Sequence, residues 1–194
     1  MDSPWNDSAL PSVIGLDGRH SRAELGAMVL DGVLRPVLPG ALVPAGLPDT
    51  PEVRAAAAAH VAGRVPAGTL GRFTAAWIHG CAPPPGELEV LVRRFHRLPR
   101  SADTMPLRLH EAETDARDTE LLGGVPVTTP VRTAVDIALF GEESAARAVL
   151  SRITHRAGLG CPPGHLLGRL ESLVRRPGKS RAIELVRSML REVA

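Results

Sequence analysis

The sequence predicts an α+β fold, with a small N-terminal winged-helix-like module (residues 1–47) followed by a mixed α/β domain (residues 48–194) that ends in a helical bundle. Three observations predict it: a capped helix signal followed by a hairpin signal, short strand-like segments between helical ones in the middle of the chain, and three amphipathic patterns at its end. The length of 194 residues suffices for a small module beside a mid-sized one.

The first module begins with a helix signal. Ser21 and Glu24 have the spacing of a capping box, in which each side chain accepts a hydrogen bond from the other residue's backbone amide. Apolar residues then recur at helical spacing until Asp31-Gly32 ends the run. Two short apolar stretches around Pro39-Gly40 predict a hairpin, because proline suits the first central turn position and glycine the second. A helix followed directly by a hairpin is the outline of a winged helix's last helix and its wing.

Residues 48–194 contain further sequence patterns that predict helices and strands. Thr50 and Thr129 are each followed by a proline at the first helical position, which predicts two capped helices. We expect residues 111–122 to be helical or looped and residues 123–128 to form a glycine turn and an extended stretch. The remaining predicted elements are strands at 87–92 and 106–110 and helices at 71–80, 144–156, 163–174 and 179–192.

Composition excludes several classes of protein. No apolar run approaches the roughly 20 residues that span a bilayer, and the first residues lack the pattern of a signal peptide, so the cytoplasm is the expected location and no membrane partner is expected. Only 3% of residues are aromatic, which argues against modules that stack single-stranded bases. Cys81 and Cys161 have neither metal-site nor redox spacing and are expected to be ordinary buried or half-buried thiols.

Basic residues are unevenly distributed although the net charge is only +2. Residues 144–194 carry nine arginines and one lysine against three acids, whereas residues 101–143 carry three arginines against nine acids. The basic end of the chain and a basic cluster at residues 93–100 could contact phosphates, or the acidic middle and the basic ends could neutralise each other across the folded surface, and charge alone favours neither. That basic cluster comprises Arg93, Arg94, Arg97 and Arg100.

The sequence holds no pattern that assembles an enzyme. His79, His96 and His110 have no partner at metal-ligand spacing, and His79 suits a helix end or a core position. Arg132 and Asp136, at i and i+4 of one helix, are expected to form a structural ion pair. Phosphate-loop and nucleophile-elbow patterns are absent from the sequence. We therefore predict no catalytic residue, no metal, no cofactor and no small-molecule substrate.

One segment resembles a known family. Residues 125–138 read VPVTTPVRTAVDIA, which closely resembles a segment of AbiEi-type proteins, the antitoxins and autorepressors of type IV toxin–antitoxin systems. Three other stretches are similar in the same order, so that the resemblance spans roughly residues 20–190. They are residues 31–44, similar to the family's wing, residues 74–80 (TAAWIHG), and residues 107–110 (LRLH).

The resemblance implies an N-terminal winged-helix module joined to a larger antitoxin domain. It implies an autorepressor that binds inverted repeats in double-stranded promoter DNA and lowers expression of a nucleotidyltransferase-type toxin. The chain departs from the family in having only 20 residues before Ser21, where two helices are usual, and Ala41 where the wing has an aromatic residue. The alternative is a non-enzymatic interaction module that binds the toxin without reading DNA.

The predicted DNA contacts fall into two groups. Residues at the start of the first helix and on the wing are placed to reach base edges, since arginine can bind guanine bidentately. The competing interpretation is a solvated capping turn with flanking arginines. The second group suits sequence-independent phosphate contact. The first group is Arg19, His20, Ser21, Arg22 and Arg35, and the second is Arg93, Arg94 and Arg97.

Overall fold

The N-terminal part of the chain forms a helix and a hairpin, as the sequence predicts. In a computed structural model, which describes residues 13–15, 20–63, 65, 68–95 and 105–193, helix α1 (Arg22–Leu30) leads into strands β1 (Leu34–Leu38) and β2 (Ala41–Pro44). The strands pair antiparallel across Pro39-Gly40, where Gly40 has a φ of +86° that a glycine adopts without strain. Ile14 forms a bridge with Leu42, which adds a short third edge to the hairpin.

A five-stranded mixed sheet lies at the centre of the rest of the chain. Its order is β5-β4-β3-β7-β6, with β3 antiparallel to β4 and parallel to β7. The outer pairs are β4 with β5, which run parallel, and β7 with β6, which run antiparallel. The strands are β3 (Gly68–Leu70), β4 (Leu88–Val92), β5 (Leu107–Glu111), β6 (Thr119–Leu122) and β7 (Val125–Thr128).

In the described ranges, six α-helices accompany the sheet. Thr50 and Thr129 both cap helices, their hydroxyls accepting from the amides of Val53 and Arg132, as predicted. The helices are α2 (Pro51–Ala62), α3 (Arg72–Ile78), α4 (Pro130–Phe140), α5 (Glu143–His155), α6 (Pro163–Ser172) and α7 (Lys179–Val193). The described chain is therefore an α+β fold.

Two apolar cores hold these elements together. The first joins the alanine-rich face of α2 to the sheet and includes Leu38 and Ala41 of the hairpin. The second lies within the bundle of α4, α5, α6 and α7, and it extends to Ala76 and Cys81 at the end of α3. Because the hairpin shares the first core, the N-terminal segment packs directly on α2.

Two sequence-based expectations differ from the structure. Residues 111–122, expected to be helical or looped, contain strand β6, whose residues pair with β7. Strand β3 was not predicted at all, although it is central in the sheet, because three residues are too few to show a period. Cys81 and Cys161 are buried free thiols, as expected. None of the helices in the described ranges has the length and apolar character to cross a membrane.

Candidate nucleic-acid interface and an arginine-lined cavity

Helix α1 presents most of its surface outward. Leu25 is its one buried residue, and Met28 and Val29 are half-buried. Three of its six exposed residues are small, and Leu30 at its end is 89% exposed. The predicted groove-reading element is therefore on the outside of the molecule rather than packed into its core.

The predicted capping box at the start of α1 is present. The Glu24 amide donates to the Ser21 hydroxyl at 3.2 Å, and the Ser21 amide donates to Glu24 Oε2 at 2.7 Å. Hydrogen bonds to the Glu24 carboxylate, first from the Ser21 backbone amide and then from the Ser21 side chain, lower the pKa of Glu24.

The structure separates the other predicted DNA contacts into two places. Arg22 is exposed at the first position of α1, and His20 is half-buried just before it. Arg35 on β1 is half-buried, and its Nη2 donates to the Leu47 carbonyl at 3.0 Å, so part of its donor capacity is already used. The remaining predicted contacts either follow β4 of the other sheet (Arg93 and Arg94, both exposed) or lie outside the described residues (Arg19 and Arg97).

Arg132 forms the ion pair that its spacing to Asp136 predicts. Its Nε lies 3.0 Å from Asp136 Oδ2, and its Nη1 pairs with Asp118 as well and donates to the Glu113 carbonyl at 3.2 Å. Burial opposes its charge, but the two carboxylates hold the pKa of Arg132 above its usual value. Burial raises the pKa of Asp136 even though Arg132 opposes it. This cluster ties the segment before β6 to α4.

A second charged cluster, around Arg72, was not predicted. Arg72 begins α3 with a φ of +51°, an unusual backbone conformation for a residue with a side chain, and its guanidinium stacks 4.5 Å from the Phe140 ring centroid. Its Nη1 lies 3.3 Å from His110 Nε2 and 3.8 Å from Glu89 Oε1. Burial is the main reason that the pKa of Arg72 is lowered.

Glu89 connects the strands to α3 in this cluster. One of its carboxylate oxygens accepts from the Phe73 amide at 3.0 Å, and the other lies 3.0 Å from His110 Nε2. Burial alone would raise the pKa of Glu89, but these hydrogen bonds and Arg72 lower it. Sequence offers no signal for this arrangement, because Arg72, Glu89 and His110 come from three elements that only the sheet brings together.

His79 occupies the buried helix-end position that we expected. It follows α3, and its Nε2 lies 2.8 Å from the Thr128 carbonyl oxygen, to which the neutral ring donates. Burial lowers its pKa, which favours the neutral form. Across the described part of the chain, no group of three or more His, Cys, Asp or Glu side chains is arranged to hold a metal ion.

The Arg72 and Arg132 clusters line one cavity of about 460 Å³. Its walls come from the end of β4, the connection from β5 to β6, helix α4 and the end of α6. We call it the arginine cleft, after the five arginines that line it: Arg72, Arg93, Arg132, Arg169 and Arg176.

No protein-family model matches the sequence, and no curated protein is significantly similar to it.

Proposed function

We propose that this protein is a DNA-binding autorepressor and the antitoxin of a type IV, AbiEi-like toxin–antitoxin system, acting in the cytoplasm. The observation that carries the proposal is the exposed, capped helix α1 followed directly by the hairpin β1–β2. The sequence resemblance supplies the antitoxin role and its functional partner, a nucleotidyltransferase-type toxin. No catalytic step is part of this proposal.

Helix α1 has features suited to a major groove. Its exposed residues Ala23, Gly26 and Ala27 are small, so the backbone can approach base edges closely. The amino end of a helix carries partial positive charge, and Ser21 and Arg22 lie there as donors to phosphate or base. The hairpin would then lie alongside the DNA as a wing.

The two arginines of this element are expected to contribute unequally. Arg22 is exposed, whereas Arg35 is half-buried. Arg22 should therefore supply more of the base or phosphate contact, and Arg35 less. Arg93 and Arg94 lie after β4, so any phosphate contact by them would form a separate patch.

Fluorescence anisotropy with a labelled duplex from the protein's own upstream region tests the repressor role. We expect that duplex to bind at least tenfold more tightly than a scrambled duplex of equal composition, and affinity to fall steeply with salt. Arg22→Ala should weaken binding about tenfold or more, as expected for an arginine that contacts a base. Arg191→Ala is the matched control, since this exposed arginine on α7 pairs with Glu184.

Two results would contradict the repressor role. The first is equal affinity for the upstream and scrambled duplexes. The second is an unchanged DNA affinity in the double variant Arg22→Ala/Arg35→Ala, provided that circular dichroism shows this variant to be folded. Either result removes α1 and the hairpin as the DNA-reading element.

A second function is favoured by the apolar character of the exposed side of α1. Ala23, Ala27 and Leu30 of α1 are exposed, as is Val33 in the turn that follows it, and such a surface also suits a protein partner. In this alternative the chain binds the toxin directly without reading DNA. Co-purification with the neighbouring gene product, lost in Leu30→Glu but retained in Arg22→Ala, would support it; DNA binding lost in Arg22→Ala would support the repressor instead.

A further inference from the structure

Five arginines and five acidic residues line the arginine cleft, and not all of these arginines are paired with the acids. Arg132 is fully engaged with Asp118 and Asp136, and Arg169 lies 3.9 Å from Asp118. Arg93 and Arg176 are exposed at the cleft, and within the described ranges no salt bridge reaches either of them. Two guanidinium groups in the wall of one cavity are thus available to an anion.

Arg72 adds a third partly unused guanidinium. Among the described residues its one hydrogen-bond contact is with His110, although arginine carries five N–H donors, and its buried Nε has no acceptor. Its positive φ costs about 1–2 kcal/mol, and this strained backbone conformation persists at the start of α3. Backbone strain and an N–H donor without an acceptor therefore occur in the same residue of the cavity wall.

The rest of the cleft has two different surfaces. Leu91, Val135 and Leu139 are buried residues that form an apolar part of the wall. Glu113, on the segment between β5 and β6, is an exposed carboxylate that can accept hydrogen bonds. The cleft therefore combines cationic, apolar and acceptor surfaces within one concavity.

We propose that the arginine cleft binds a small phosphorylated organic molecule, a ligand and not a substrate of the protein. Arg72, Arg93 and Arg176 hold the phosphate, because a planar guanidinium matches phosphate oxygens with two parallel hydrogen bonds. The apolar wall contacts the organic part, and Glu113 accepts from its hydroxyl or amino groups. The volume of about 460 Å³ falls within the range of small-molecule sites and far exceeds a lone phosphate.

A concave site favours a small molecule over a duplex. The phosphates of double-stranded DNA lie on a broad convex surface, which contacts protruding side chains rather than the floor of a cavity. The site is also built from residues between 72 and 176, whereas the proposed DNA-reading element is α1 and the hairpin. Ligand binding and DNA binding can therefore succeed or fail independently.

Isothermal titration calorimetry of the full chain tests the proposal with four probes: inorganic phosphate, 5′-AMP, glucose 6-phosphate and adenosine. We expect at least one of the two phosphomonoesters to bind at least tenfold more tightly than inorganic phosphate, and adenosine to show no measurable heat. The double variant Arg93→Gln/Arg176→Gln should weaken that binding at least tenfold. Arg117→Gln is the control, because Arg117 is exposed near the acidic segment and does not line the cleft.

Three outcomes would overturn the proposal. The first is no binding of phosphate or of either phosphomonoester. The second is binding that Arg93→Gln/Arg176→Gln leaves unchanged while its melting temperature matches the wild type. The third is loss of duplex-DNA affinity in that variant with no change for the phosphomonoesters, which would make these arginines DNA-phosphate contacts instead.

Discussion

Replacing Arg132 with methionine tests whether the buried charge cluster stabilises the fold. Met keeps much of the apolar stem but removes the guanidinium that faces Asp136 and Asp118. The Asp136 side chain is only 6% exposed, so it would be left as a buried carboxylate without its nearest cation. Breaking one side of a buried pair costs about 3–5 kcal/mol. Because Arg132 is itself 17% exposed, we expect the lower end, about 3 kcal/mol.

The cost should depend on pH in a defined direction. Burial already raises the pKa of Asp136, and Arg132 lowers it, so the substitution raises that pKa further. A carboxyl whose pKa is higher in the folded than in the unfolded state favours folding when protonated, so stability falls as pH rises from about 4 through the folded pKa. For each unit by which the substitution raises the pKa of Asp136, the loss of unfolding free energy is smaller by about 1.4 kcal/mol at a pH low enough to protonate this carboxyl. Arg132→Met should therefore be more costly at pH 7 than at pH 4.

Urea denaturation at pH 7 and pH 4 measures both effects. A loss of about 3 kcal/mol corresponds to a melting temperature lower by roughly 6–12 °C for a chain of this size. Arg187→Met is the matched control, since its pair with Glu171 is about half-exposed on both sides and should cost no more than about 1 kcal/mol. A cost below about 1 kcal/mol for Arg132→Met at pH 7, or one that is equal at both pH values, would refute this account.

The remaining predictions concern single sites. The Glu142 carboxylate accepts hydrogen bonds from the Ser144 hydroxyl and amide, which lower the pKa of Glu142 to about 2. The contribution of these hydrogen bonds to folding stability is therefore present above pH 4.5 and is lost as the pH falls toward 2. An NMR titration of Glu142 with a midpoint near 4.5 would contradict this. Burial raises the pKa of Cys161 to about 11, so a thiol reagent at pH 8 should react with it far more slowly in the folded protein than in urea; equal rates would contradict its burial. Exposed Arg175 has a φ of +46°, so Arg175→Gly should raise the free energy of unfolding by up to about 1 kcal/mol in urea denaturation, whereas Arg175→Ala should not.

The helix starts and the hairpin turn were predictable because each of these signals acts within a few residues. The capping box at Ser21 and Glu24, the turn at Pro39-Gly40 and the Thr129-Pro130 helix start depend on backbone groups close in sequence. The ion pair of Arg132 with Asp136 is of the same kind, since helix geometry alone brings i and i+4 together. These signals correctly located α1, the hairpin and α4.

The arginine cleft could not be predicted, because its residues come from β4, the β5–β6 connection, and helices α3, α4 and α6. Arg72 meets His110 only because β3 is central in the sheet and β5 lies beyond β4, and β3 is too short to be recognised from three residues. Residues 119–122 likewise become a strand by pairing with β7, although their acidic surroundings suggest loop or helix.

The sequence by itself determined which segments are helical, where they begin and that a hairpin follows the first of them, since capping, turn geometry and helical spacing are short-range effects. Only the tertiary structure decided the strand order, the exposure of α1 and the meeting of Arg72 with Glu89 and His110. Those features depend on contacts between residues 15–40 positions apart or more. Burial of the shared apolar cores decides them, and local conformational preference does not.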